Sequence, residues 1–104
     1  MTASGFLTVS PTVEGSMAPE IAKAVDALED HDVSYETTPM GTLLEAETAA
    51  DLFAAAQGAH EAVDSDRVVT FLKVDDKRAV DDPMSEKVRS VEDHLGREAR
   101  GDRD

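Results

Sequence analysis

The 104-residue sequence contains no cysteine and no tryptophan. Without a thiol it can form no disulfide, present no thiolate nucleophile and build no cysteine-ligated zinc site. Aromatic residues make up only 4% of the chain, so alanine and aliphatic side chains must supply the core. No apolar run approaches the roughly 20 residues that span a bilayer, and no basic segment followed by an apolar one opens the chain. These absences predict a cytoplasmic protein with no membrane partner. Basic residues are scarce as well: ten Lys and Arg stand against 23 Asp and Glu, a formal net charge of −13. Binding nucleic-acid phosphates or an anionic membrane needs clustered Lys and Arg, so neither partner is expected. Acids spread along the whole chain read instead as a surface adapted to high salt, as in halophiles.

Motifs that carry enzyme chemistry are missing too. His31, His60 and His94 are far apart in sequence and share no metal-ligand spacing. No Gly-x-Ser-x-Gly elbow or phosphate-cradling glycine loop occurs. Asp75-Asp76 with Asp81-Asp82 lacks the calcium-loop pattern and reads as a solvated loop. No catalytic residue, metal ligand or cofactor is predicted, and a non-enzymatic protein is expected.

What is present is a clear alternation of short elements. Residues 1–4 read as a frayed start. From Phe6 to Ser10 apolar and hydroxyl residues alternate, placing Leu7 and Val9 on one strand face and Phe6, Thr8 and Ser10 on the other, before Pro11 stops the run. Pro19 suits the first turn of a helix whose stripe is Ile21, Ala24, Val25 and Leu28. A strand over 33–38, a turn at Pro39-Met40-Gly41 and a strand over 41–46 follow. Thr48 can cap a second helix, with Asp51 three residues on and a stripe of Leu52, Phe53, Ala56, Ala59, His60 and Val63. Residues 67–74 are the most strand-like run and end at Asp75-Asp76. Asp82 and Pro83 predict an N-cap and first position for a third helix, faced by Met84, Val88, Val91 and Leu95 and stopped by Gly96.

This order predicts an α+β, ferredoxin-like βαββαβ sandwich over residues 1–96. Its four-stranded antiparallel sheet should carry helices on one face, with strands one and three central and a C-terminal helix added. Residues 97–104 have no apolar anchor and are expected to be a disordered tail. Two helices cover one face of such a sheet. The other, with its apolar and hydroxyl residues, predicts a homodimer or homotetramer.

Within that frame the Pro-Met-Gly-Thr-Leu-Leu-Glu run at 39–45, the Ala-His at 59–60 and Arg67-Val-Val-Thr continuing to Val74-Asp-Asp-Lys-Arg78 occur in order. With the closing helix at 87–92 they resemble the small thiamine-binding protein family of ferredoxin-like fold, over about residues 6–95. The chain departs from typical members at Ala46, where they have glycine, and at Ala18, where a hydroxyl is common. The resemblance implies a carrier or sensor that binds thiamine or its hydroxymethylpyrimidine part, without catalysis, as a dimer or a dimer of dimers. Such a ligand joins a permanent thiazolium cation to a flat aminopyrimidine, which asks for acceptors and an apolar wall. On that reading Glu45 is the principal polar partner, Thr42 and Ser10 orient the ring, and Met40 and Phe71 are walls. The alternative is a regulatory or assembly subunit whose domain binds another metabolite or a protein, since fold alone does not fix the ligand.

Overall fold

The computed structural model describes residues 1–102. In chain order it contains β1 (Thr2–Pro11), α1 (Ala18–Ala27) continued by a 3-10 turn (Leu28–Asp30), β2 (Ser34–Thr38), β3 (Gly41–Ala46), α2 (Ala49–Ala62), β4 (Val68–Lys77) and α3 (Met84–Leu95). The strands form one antiparallel sheet in the order β2-β3-β1-β4, so β1 and β3 are the central neighbours. This is the α+β, ferredoxin-like arrangement that the alternation predicts.

Register assigns the faces. Leu7 lies opposite both Thr42 and Leu72, and Gly5 opposite Leu44 and Val74. These residues, with Ala3 and Val9, point toward α1 and α2, where Ala24, Leu28, Leu52, Ala55, Ala56, Ala59 and Val63 complete the core. Five of the eleven buried apolar residues are alanine, which lets the helices approach closely but leaves little area to bury per residue. Local signals start the helices. Thr48 Oγ1 accepts the Asp51 N–H at 3.2 Å, as the capping pattern predicts. At α1 the N-cap, Met17, has no side-chain acceptor, and the Ser16 hydroxyl just before it accepts the Ala18 N–H at 3.1 Å. Gly96 ends α3 in the left-handed region at φ 72°, where a side chain would be strained.

Several boundaries differ from the sequence reading. Residues 2–4 are not frayed: β1 begins at Thr2, and Ala3 and Ser4 are buried. Likewise β4 runs on through Asp75, Asp76 and Lys77. Both extensions have one cause, because β1 and β4 pair along their whole length, from Thr2 opposite Lys77 to Pro11 opposite Val68. Asp75 and Asp76 are tolerated there because they face Lys87 and Arg78 across ion pairs. In α2, Phe53 and His60 are exposed and Ala55 takes their place in the buried stripe. His60 instead hydrogen-bonds Thr70 on β4. Pro83 is the N-cap of α3, not Asp82. No element covers 97–102, and the tail expected over 97–104 extends to two residues outside the described ones. Among the described residues no helix is long and apolar enough to cross a membrane.

Candidate functional site

The second face of the sheet carries Ser4, Phe6, Thr8 and Ser10 from β1, and Leu43 and Glu45 from β3. Ser34 and Glu36 come from β2, and Val69, Phe71, Lys73 and Asp75 from β4. Neither α1 nor α2 reaches it. What reaches it is the first half of α3. Its N-cap, Pro83, has no side-chain acceptor to offer, and the open N–H of Met84 donates to Glu45 Oε2 at 2.6 Å. A carboxylate at a helix N-terminus satisfies an orphan donor and meets the positive end of the helix dipole. The Lys87 ammonium then pairs with Asp75 and holds that carboxyl below the usual range. Lys77 pairs with Asp82 just before the helix, which raises the lysine.

Docked this way, α3 leaves a groove of about 390 Å³ between its first turns and β2–β3. Leu43, Met84 and Val88 are its apolar walls; Ser34, Glu36 and Glu45 are its polar ones. A second groove, about 830 Å³ and wider, adjoins it at the sheet end. That one is acidic, lined by Asp32, Glu47, Asp51 and Asp81. Glu45 and Ser34 belong to both. Glu45 therefore stands where an apolar slot opens into a negatively charged one, and among the described residues only one of its two carboxylate oxygens has a side-chain role, toward Met84.

The five residues singled out in the sequence are not brought together. Thr42 is only 7% exposed and points the other way, toward α1, with its hydroxyl 3.2 Å from that of Thr37. The void it lines there, about 30 Å³, has room for roughly one water. Ser10 shares the open face with Glu45, but Glu45 lies opposite Ser4, six residues and about 20 Å along β1. Met40 is 80% exposed at the tip of the β2–β3 turn. Phe71 lies on β4, beyond β1 from Glu45. The residues that do surround Glu45 were partly legible: Leu43 is two positions away and so must share its face. Met84 and Val88 were visible as an i,i+4 apolar pair, but nothing local says that their helix lies on the second face.

Comparison with known proteins converges on one family. The sequence pattern of the family described as "Thiamine-binding protein" matches residues 6–92. A UPF0045 protein of Methanothermobacter thermautotrophicus is 47% identical over 94 residues, covering 86% of this chain and 95% of its own. The crystal structure of MJ1052 from Methanocaldococcus jannaschii superposes with a TM-score of 0.78 at 28% identity, covering 86% of this chain and 95% of that one. A Thermotoga maritima protein, described as a candidate for thiamine biosynthesis or salvage, shares the fold at TM-score 0.72 and 21% identity, covering 88% of this chain and 99% of its own.

Proposed function

The chain belongs to the thiamine-binding protein family, and from that premise we propose that it binds thiamine, or its hydroxymethylpyrimidine part, beside Glu45, as a non-enzymatic carrier or sensor. The observation that carries this reading is the position of Glu45 between an apolar groove and an acidic one. The flat aminopyrimidine suits the slot between Leu43, Met84 and Val88, with its amine donating to the Glu45 carboxylate. The thiazolium cation then lies toward Asp32, Glu47, Asp51 and Asp81, where a field of carboxylates favours it. The same field disfavours a diphosphate, and among the described residues no basic cluster lines either groove to offset that. Self-association as a homodimer or homotetramer completes the reading, because part of the sheet's second face is left uncovered.

Calorimetry in high salt tests the site. Glu45→Gln keeps the shape and removes the charge, and a charge-assisted hydrogen bond of about 1.5–3 kcal/mol corresponds to a loss of affinity on the order of tenfold or more. Thr42→Val, on the opposite face, should leave thiamine affinity unchanged. Thiamine diphosphate should bind more weakly than thiamine. Equal binding by Glu45→Gln, or preference for the diphosphate, would place the ligand elsewhere. A melting point raised by an amino acid but not by thiamine would support the regulatory-subunit alternative instead.

A further inference from the structure

We propose that α3 is an exchanged arm: in a two-fold homodimer the Val91 and Leu95 end of each copy's helix stripe seats on the Val69–Phe71 half of the other copy's sheet. This deepens the self-association reading above and rests on it.

The arm is visible in the shape of the chain. Among the described residues, the α3 side chains that line grooves with their own sheet are those of its first turns, Met84, Ser85, Lys87 and Val88. Val88, Val91 and Leu95 repeat at helical spacing on one face, and each is roughly half exposed. The radius of gyration is 15.4 Å, where a compact chain of this length has about 13 Å.

The receiving patch is on the same chain. Val69 and Phe71 are both about half exposed on the open face, opposite Ser10 and Thr8. In a protein with 23 acids this half of the face carries none, unlike the helical surfaces exposed to water. Charge matches as well. Lys73, next to Phe71 on that face, makes no ion pair among the described residues, and neither does Glu92, which flanks the α3 stripe.

A second copy fits better than a foreign segment. A 12-residue helix is about 18 Å long. One stripe on one patch is too small for the roughly 800 Å² per partner of a stable interface. A two-fold axis makes the contact twice, because each chain supplies both an arm and a patch.

Because the native chain has no cysteine, single introduced thiols report the contact cleanly. Mixing Val91→Cys with Phe71→Cys protein under mild oxidation should give a disulfide-linked pair of twice the 11.1 kDa chain mass. Mixing Val91→Cys with Asp30→Cys, on the helical side, should not. Lys73→Glu should raise the dimer dissociation constant on the order of tenfold, and adding Glu92→Lys should restore it. Glu92 is partly buried and the other substituted positions are exposed, and circular dichroism verifies that the fold is kept. A monomeric mass for the unsubstituted protein by light scattering would overturn both self-association and exchange. An oligomer in which the Val91–Phe71 pair does not cross-link, or in which the charge reversal does not rescue, would overturn exchange alone.

Discussion

Glu45 is a carboxylate with two neighbours to serve. It caps α3 through Met84 and, on the reading above, receives a ligand's amine, so occupancy of the groove and docking of α3 are coupled through one side chain. From the sequence, an acid among Leu43, Leu44 and Ala46 was recognisable as unusual. Its use as a helix cap was not, because the helix it caps starts 39 residues later. Thr42 shows the complementary limit: composition made it a candidate, but the period of two places it opposite Glu45's face. The turn that sets this register depends on Gly41, whose φ is 157°. A Cβ there would come within 2.4 Å of Phe6 Cζ, because that ring lies over the glycine. Gly41→Ala should therefore destabilise the fold by about 1–3 kcal/mol, measured by chemical denaturation. A loss below half a kcal/mol would mean that Phe6 moves aside freely.

Among the elements, those with a strong internal pattern are legible in the sequence and those held by partners are not. β3 and the capped start of α2 fell where turn and cap chemistry put them. The ends of β1 and β4 did not, because their Ala3-Ser4 and Asp75-Asp76 segments carry no strand signal and are extended only by pairing with each other. α3 has the clearest amphipathic stripe and no buried residue, since a stripe specifies a face to cover but not what covers it. Its attachment is electrostatic and so should depend on pH. Asp75 is lowered by the hydrogen bond from Lys87, so this contribution is full above the unfolded carboxylate value near 4 and is lost as pH falls through the lower folded value. Lys77 is raised by Asp82, so its contribution is present below the ordinary lysine value near 10.4 and is lost as pH rises through the higher folded value. Hydrogen exchange of α3 amides, corrected for intrinsic rates, should show protection falling in acid, and Lys87→Met should flatten that fall. Protection independent of pH in the unsubstituted protein would contradict an ion-paired attachment.

At the scale of the whole molecule a small, alanine-rich core opposes the self-repulsion of a net charge of −13. Screening relieves that repulsion, since molar salt shortens the Debye length to about 3 Å. The melting temperature followed by circular dichroism should rise from low to molar salt, and an unchanged value would show that the acidic surface does not limit stability. The antiparallel βαββαβ topology was legible because four strands and two helices alternate in one order with few pairings available. The candidate site was less legible. It forms between β2, β3 and a helix on the second face, and no local pattern records that three-way meeting.

Thiamine binding beside Glu45 is tested most directly by an amide NMR titration with thiamine in high salt. The Met84 N–H reports the site because its acceptor is the Glu45 carboxylate. A ligand amine on that carboxylate should shift Met84 most, with smaller shifts at Leu43, Ser34 and Val88 and none along α1. Shifts clustered around Thr42 and α1, or a spectrum that thiamine leaves unchanged, would contradict it.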